Sequence, residues 1–158
     1  MALALLLVVV LAACTSSDAP RAEVGERAPT FASVDLDGGK VRLEDFRGRT
    51  VLLNFWASWC GPCTEEFPRL KSVHGDDVVV LGVVFDDSAE SARDFVRKQA
   101  ATWASVVDPD HDIADAYGVA KKPGIPVTWL IDRDGVARAR HLGLLKEADL
   151  DALLGATT

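Results

Sequence analysis

The sequence is short of the features that mark several common classes of protein. Its formal net charge is −7, and because nucleic acids are bound through basic surfaces, this charge argues against a nucleic-acid partner. No glycine-rich phosphate loop and no internal repeat is present. The three cysteines and three histidines do not have the paired spacing of a structural zinc site, which needs about four ligands. We therefore predict neither a metal site nor any other bound cofactor.

The apolar run at the amino terminus is too short to cross a bilayer. Residues 2–13 carry no charged or polar side chain, but this length suits the apolar region of a signal peptide better than a membrane-spanning helix. The run ends in Leu11-Ala12-Ala13-Cys14, which resembles the bacterial lipoprotein signal, where the chain is cut before the cysteine and its sulfur is acylated. The basic residues usual before such a run are missing, which suggests a true start upstream of Met1.

This signal divides the chain into three predicted parts. They are a signal peptide over residues 1–13, a lipidated Cys14 with a flexible linker over residues 14–23, and one domain over residues 24–158. The alternative is a buried N-terminal element with a free Cys14, but the polar stretch Thr15–Glu23 has no periodic apolar face. Acylation of Cys14 would leave an even number of cysteines, as expected of an exported protein. We therefore expect the domain outside the cytoplasm, anchored by lipid to the outer face of the plasma membrane.

Within the domain, apolar β-prone segments alternate with helical ones. Strands are predicted over Thr50–Ala57, Asp77–Phe85, Trp103–Val107, Pro126–Asp132 and Val136–Leu142, with hairpin turns at Asp37–Gly39 and Arg133–Gly135. Helices are predicted over Pro62–His74, from a cap at Asp87 to Gln99, from Asp108-Pro109 to Gly118, and over Glu147–Leu154. This alternation predicts an α/β fold with a central mixed β-sheet flanked by helices and an N-terminal β-hairpin extension, in the order of a thioredoxin fold.

Cys60 and Cys63 lie where a predicted strand gives way to a predicted helix. Such a pair could be a structural disulfide, part of a metal site or a redox couple. A very short loop removes little entropy from the unfolded chain, so a purely structural disulfide is a poor use of this spacing. The free N–H groups at a helix N-terminus favour a thiolate there. We therefore predict a redox couple in which Cys60 attacks a disulfide and Cys63 resolves the mixed disulfide.

The residues around the cysteine pair resemble those of the thioredoxin family. Trp59–Cys63 (WCGPC) matches its active-site motif, Pro68 matches its helix-kinking proline, and Gly124-Ile125-Pro126 matches its cis-proline loop. The chain looks most like the TlpA/ResA group of membrane-tethered thiol–disulfide oxidoreductases, within the AhpC/TSA–redoxin superfamily. The resemblance extends over roughly residues 24–154, and the stretches that carry it are Gly25–Phe31, Leu43–Cys60, Cys63–Pro68 and Ala116–Asp132.

The resemblance implies roles for residues beside the cysteines. Trp59 would shield the dithiol and, with Gly61 and Pro62, contribute to the partner surface. A cis-Pro126 would leave the backbone of Ile125 free to pair with an extended substrate segment. Glu66 matches an acidic position of the cytochrome-maturation members and is a candidate helper in deprotonating Cys63; the alternative is a solvated helix carboxylate.

The chain also departs from its relatives at several positions. Asn54 replaces the buried Asp of ordinary thioredoxin, as is common in the TlpA/ResA group. ResA has Glu where this chain has Gly61, and cytochrome-maturation reductants commonly have Glu where it has Val127. Both departures weaken a specific assignment to cytochrome maturation. Extra residues between Val119 and Gly124, including Lys121-Lys122-Pro123, lengthen the loop before the cis-proline.

The resemblance predicts an extracytoplasmic thiol–disulfide oxidoreductase that reduces disulfides in exported proteins. Apocytochrome c is one candidate substrate, and a membrane thiol reductant of the CcdA type would supply the electrons. One alternative is a thiol peroxidase, but Leu53 and Ala57 occupy the positions of the Pro and Thr or Ser that a peroxidase needs before its cysteine. The other is a Sco-like copper-binding module, but such proteins have three residues between their cysteines, and His141 is only a weak candidate for their distal histidine.

Overall fold

The computed structural model describes residues 20–121 and 124–156. The predicted signal peptide, Cys14 and most of the predicted linker lie outside these residues, as do Lys122 and Pro123. The strands are β1 (Ala32–Val34), β2 (Lys40–Arg42), β3 (Thr50–Trp56), β4 (Val78–Val84), β5 (Ser105–Val107), β6 (Val127–Ile131) and β7 (Ala137–Leu142). The helices are α1 (Gly61–Val73), α2 (Ala89–Gln99), α3 (Asp112–Ala116) and α4 (Glu147–Gly155). Within the described ranges, no helix is long and apolar enough to cross a membrane.

Five strands form one mixed sheet in the order β5-β4-β3-β6-β7. β3 pairs with β4 in parallel and with β6 antiparallel, and β6 in turn pairs antiparallel with β7. Every residue of β3 is buried, as expected of a central strand covered on both faces, and all but Thr50 and Asn54 are apolar. The predicted thioredoxin fold with its mixed sheet and flanking helices is confirmed.

Neighbouring residues of β3 reach opposite faces of the sheet, as the pleat requires. Phe55 joins the cluster that contains Tyr117 and Trp129 on one face. Trp56 joins the cluster beneath α1 on the other face, where its ring stacks on that of Phe95 with 5.1 Å between centroids. The dithiol belongs to this second cluster, so the packing around Trp56 supports the helix that carries it.

The predicted N-terminal hairpin is present as the antiparallel pair β1–β2. Its turn is closed by Asp35, whose carboxylate accepts hydrogen bonds from the N–H groups of Asp37 (3.0 Å) and Gly39 (2.7 Å). A bridge from Asp35 to Val106 joins the hairpin to the edge strand β5. The extension therefore covers an edge of the main sheet that would otherwise be open to pairing.

Two predicted helix starts are wrong. Helix α2 is capped by Ser88, whose hydroxyl accepts a hydrogen bond from Ser91 N–H, rather than by Asp87. Helix α3 begins at Asp112 rather than at Pro109. Asp108 nevertheless caps it from a distance, because its buried carboxylate accepts hydrogen bonds from the first turn of α3, at Ile113 N–H (3.1 Å) and Ala114 N–H (2.8 Å).

Candidate active site

The two cysteines lie where β3 runs into α1. The chain leaves β3 through a turn in which Cys60 N–H donates to the carbonyl of Ala57 at 3.2 Å. Cys60 is the N-cap of α1, with Pro62 in the first turn of the helix. Its sulfur accepts a hydrogen bond from Cys63 N–H at 3.2 Å. The sulfur of Cys60 therefore meets an N–H group and the positive end of α1, both of which favour a thiolate in the reduced protein.

Cys60 and Cys63 form a disulfide with 2.00 Å between the sulfurs. Cys60 is 4% exposed, whereas Cys63 has no exposed surface. An external disulfide can therefore reach only Cys60 directly. The geometry suits a pair in which the outer cysteine attacks and the inner cysteine resolves.

The start of β6 lies at the same edge of the sheet as the dithiol. Because β3 and β6 are antiparallel, with Phe55 opposite Val127, the carboxyl end of β3 meets the amino end of β6. The Ile125–Pro126 peptide bond just before β6 is cis, as the family resemblance implies. Ile125 is half-buried and packs against both core clusters. The sheet thus brings the cis-proline loop to the edge that carries the cysteines.

Exposed residues surround the outer cysteine. Trp59 is 61% exposed, and its indole N–H donates to the carbonyl of Asp86 at 3.0 Å. Gly61 and Pro62 are also exposed. Trp59 therefore lies over the loop that follows β4 and leaves an apolar face open to solvent beside Cys60.

Glu66 lies one turn beyond Cys63 and is completely buried. One carboxylate oxygen accepts from the Asn54 side-chain amide at 2.7 Å, and the other accepts from Leu145 N–H at 3.0 Å. Burial raises the pKa of Glu66 to about 7, although these two hydrogen bonds and the charge of Arg69 oppose the rise. The alternative interpretation of Glu66 as a solvated helix carboxylate is wrong.

The carboxylate belongs to a small polar network inside the apolar core. Asn54 donates a second hydrogen bond to the hydroxyl of Thr128 at 3.0 Å. Its side-chain oxygen has no hydrogen-bond partner among the described residues, and within the same residues no lysine or arginine pairs with Glu66. The carboxyl group under the dithiol is therefore held by neutral donors alone.

Three participants in the site were not predicted from the sequence: Thr128, the N–H of Leu145, and Asp87. Asp87 accepts a hydrogen bond from Ser58 N–H at 2.7 Å, just before the cysteine motif. The burial of Glu66 could have been predicted from its position in the helix. Glu66 falls on the stripe of α1 formed by Cys63, Phe67 and Leu70, spaced so that all four residues share one helix face.

The residues that bear on the alternative functions lie in ordinary structural positions. Leu53 and Ala57 are fully buried. His141 is half-buried on β7, with its Nε2 3.1 Å from the carbonyl of Leu144. Among residues 20–121 and 124–156, no group of histidine, cysteine, aspartate and glutamate side chains could hold a metal ion.

The chain is similar in sequence to known thiol–disulfide oxidoreductases. The profile of the AhpC/TSA family matches residues 24–140. The thiol–disulfide oxidoreductase ResA of Geobacillus thermodenitrificans is 33% identical over 131 residues, which are 80% of this chain and 74% of that protein. ResA of Bacillus thuringiensis is 34% identical over 119 residues, which are 72% of this chain and 66% of that protein. The chain thus spans slightly less than two thirds of the length of this second relative.

Solved structures show the same architecture. A Chlorobium tepidum protein assigned as a thiol:disulfide interchange protein DsbE is 34% identical, with a TM-score of 0.76 over 87% of this chain and 99% of that one. The pneumococcal exposed lipoprotein thioredoxin of Streptococcus pneumoniae is 29% identical, with a TM-score of 0.67 over 80% of this chain and 98% of that one.

Proposed function

Since the chain belongs to the AhpC/TSA family and, within it, to the ResA-type thiol–disulfide oxidoreductases, we propose that it reduces disulfides in exported proteins through Cys60 and Cys63. The observation that carries the proposal is the disulfide at the N-terminus of α1, with one cysteine at the surface and the other buried. A structural bond gains little from so short a loop.

In the proposed reaction the reduced protein transfers two electrons to its substrate. The Cys60 thiolate attacks one sulfur of the substrate disulfide, and the other substrate sulfur leaves as a thiolate and takes up a proton. Cys63 loses its proton and attacks the sulfur of Cys60, and the second substrate sulfur leaves as a thiolate and takes up a proton in turn. The substrate then carries two thiols, and the protein carries the Cys60–Cys63 disulfide found in the structure.

The second step needs an acceptor for the proton of Cys63, and we assign Glu66 to this role. Its carboxylate is buried one helical turn from Cys63. With a pKa of about 7, Glu66 can take or release a proton near neutral pH at little cost in free energy. Asn54 supports this role because it holds the carboxyl group without adding a charge.

We assign the substrate-binding surface to the exposed rim around Cys60. Trp59, Gly61 and Pro62 offer contact area on one side of the dithiol. On the other side, the backbone of Ile125, before the cis-Pro126, would pair with an extended segment of the substrate.

We further propose that the protein works outside the cytoplasm, held to the membrane by a lipid on Cys14. The sequence before Cys14 supports this, and one similar structure is that of an exposed lipoprotein thioredoxin. A membrane thiol reductant of the CcdA type would return electrons to Cys60 and Cys63, and apocytochrome c is one candidate substrate. Cys14→Ser should release the protein from the membrane fraction, and continued membrane retention of this variant would contradict the lipid anchor.

The direction of electron flow is tested by the reduction potential of the Cys60–Cys63 pair. We expect a value near the approximately −270 mV of thioredoxin when the domain is equilibrated with thiol buffers. A value near about −120 mV, that of the oxidant DsbA, would instead indicate a donor of disulfides. In a turnover assay with a protein disulfide substrate, Cys60→Ser should abolish activity, and Cys63→Ser should accumulate the mixed disulfide. Turnover by Cys60→Ser would rule the mechanism out.

A further inference from the structure

The loop that follows β4 contacts the turn that connects β3 to Cys60. Pairing between β3 and β4 ends at Trp56 and Val84, and one further backbone hydrogen bond joins Phe85 N–H to the carbonyl of Trp56 at 2.9 Å. After Trp56, no hydrogen bond of the β3–β4 pairing holds the turn that leads to Cys60. The turn is held instead by the next two residues of the loop: the Asp86 carbonyl accepts from the Trp59 indole, and Asp87 accepts from Ser58 N–H.

Asp87 makes the more specific of these contacts. One oxygen of its half-buried carboxylate accepts from Ser58 N–H at 2.7 Å, and the other accepts from Ser88 N–H at 2.8 Å. Ser58 is the first residue after Ala57 in the turn that ends with Cys60 N–H bonded to the carbonyl of Ala57. The carboxylate therefore fixes the beginning of a turn whose last residue is the N-cap of α1.

A role in capping α2 does not explain this carboxylate. Ser88 performs that role, since its hydroxyl accepts from Ser91 N–H at 3.1 Å. The longer contact, from Asp87 across to Ser58, joins residues 29 positions apart in the sequence. A hydrogen bond to an ionised acceptor is stronger than one between neutral groups.

We propose that Asp87 is a positioning residue for the attacking thiol. By holding Ser58 N–H, it keeps Cys60 at the N-cap of α1, where the N–H of Cys63 stabilises the Cys60 thiolate. The inference rests on the proposed role of Cys60 as the nucleophile.

Asp87 acts on the thiolate in two opposite ways. Its hydrogen bond favours the thiolate by keeping Cys60 at the helix N-terminus, whereas its negative charge disfavours a second negative charge nearby. The hydrogen bond is the larger of the two effects.

Other charged or titratable groups lie around the loop that follows β4, and they stay unchanged in every variant below. The Asp86 carboxylate lies 3.6 Å from Lys121 Nζ and 3.8 Å from His111 Nε2. Asp108 lines the same cleft as Asp87, and its carboxylate accepts from backbone N–H groups.

The test compares three substitutions of Asp87 in the reduced full-length protein. Asp87→Ala removes both the bond and the charge, Asp87→Asn keeps an acceptor without the charge, and Asp87→Glu keeps the charge but displaces the acceptor by one methylene. Asp35→Ala is the matched control, because Asp35 also accepts from two backbone N–H groups of a turn, but in the N-terminal hairpin. The measurements are the rate of reaction with a small aromatic disulfide at about pH 6 and the pH profile of that rate, since attack follows the thiolate fraction.

We expect Asp87→Ala and Asp87→Glu to slow the reaction about tenfold and to move the pH profile upward, since less thiolate forms at a given pH. Asp87→Asn should stay within about twofold of the unchanged protein, because one oxygen still accepts from Ser58 N–H and the loss of the nearby negative charge offsets the weaker bond. Asp35→Ala should lower stability without altering the rate.

The proposal is overturned if Asp87→Glu reacts at the unchanged rate, or if Asp87→Asn and Asp87→Ala both react faster, because charge alone would then account for the effect. The comparison of Asp87→Asn with Asp87→Glu decides the question even where Asp87→Ala fails to fold. If the unchanged protein itself does not react through Cys60, the proposed function fails, which is a separate outcome.

Discussion

Two buried carboxyl groups near opposite ends of β6, those of Asp132 and Glu66, have pKa values shifted in opposite directions. Asp132, at the turn between β6 and β7, accepts from the N–H groups of Asp134 and Val136 and from Arg138 Nε at 2.6 Å. Burial alone would raise the pKa of Asp132, but the hydrogen bonds from Val136 and Arg138, with the charge of Arg138, lower it. Glu66, near the other end, accepts only from neutral donors, and burial raises its pKa to about 7.

Two differences account for the opposite pKa shifts: Glu66 is buried more deeply than Asp132, and it lacks a contacting cation. Both groups have their oxygens bonded, yet only Asp132 also has a guanidinium in contact. Asp132 closes a turn and is best kept charged. Glu66 lies under a thiol that must lose a proton, and no lysine or arginine among the described residues forms an ion pair with it. Complete burial without a contacting cation distinguishes a carboxyl group suited to proton transfer from a structural one.

The largest effect is expected from Asn54→Asp, which places a second carboxyl group against Glu66. Two adjacent buried carboxylates cannot both ionise without a large cost, so the oxidised protein should lose more than about 3 kcal/mol of its free energy of unfolding at pH 8. The loss should be smaller at about pH 4, where the pair can share a proton. Urea unfolding at the two pH values measures this, and equal losses would show that packing rather than charge is responsible.

Glu66→Gln should raise the free energy of unfolding at alkaline pH rather than lower it. The folded pKa of about 7 lies above the usual value of 4.5, so the stability contributed by neutral Glu66 is complete below the usual value and is lost as pH rises toward 7. Above pH 7 the oxidised variant should therefore be more stable than the unchanged protein, by up to about 3 kcal/mol. Urea unfolding across this range measures the gain.

Glu65→Gln provides the matched control, because Glu65 is the exposed neighbour on the same helix. It should leave the pH dependence of stability unchanged. In the reduced protein, Glu66→Gln should also slow the release of substrate from the mixed disulfide, since the proton of Cys63 loses its acceptor. A gain in stability that is the same at pH 4 and pH 8 would contradict the buried-charge explanation.

Asp132→Asn should cost about 1–2 kcal/mol at neutral pH, because it weakens charge-assisted hydrogen bonds to Arg138 and to the turn. The folded pKa of Asp132 is lower than the usual value of 3.8. Its contribution is therefore present above that value and is lost as pH falls through the folded pKa. The difference between the variant and the unchanged protein should shrink in acid, whereas the exposed control Asp134→Asn should show little difference at any pH.

Thr128→Val is expected to have the smallest effect. It removes the second acceptor of the Asn54 amide in a nearly isosteric way, which should cost about 1 kcal/mol. Because the bond to Glu66 remains, the pH dependence assigned to Glu66 should persist. If that dependence disappears in the variant, Thr128 takes part in holding the proton, and the network is larger than Asn54 and Glu66.

The sequence predicted the sheet and the dithiol well because both depend on local patterns. A nearly all-apolar, β-prone run such as Thr50–Ala57 is typical of a buried central strand, and the turn signals at Asp37–Gly39 and Arg133–Gly135 fall where the hairpins occur. The helix starts failed where a side chain acts over a distance. Asp87 is next to α2 in sequence but bonds to Ser58, and Asp108 caps α3 from several residues upstream.

The polar network under the dithiol could be predicted only in part. The spacing of Glu66 from Cys63, Phe67 and Leu70 places it on the buried face of α1, so its burial was within reach of the helical period alone. Its partners were not, because Leu145 and Thr128 come from distant parts of the chain. Since the pKa depends on those partners, no local pattern could give it.

The antiparallel pairing of β3 with β6 has a consequence for how such proteins can diverge. The register of Phe55 opposite Val127 fixes the start of β6 beside the end of β3, whatever the length of chain inserted before Gly124. We therefore expect changes in the loop before Gly124, which contains Lys121, to alter which partners are accepted while the reacting atoms keep their places. The strand register, rather than the connecting loop, holds the cis-proline beside the cysteines.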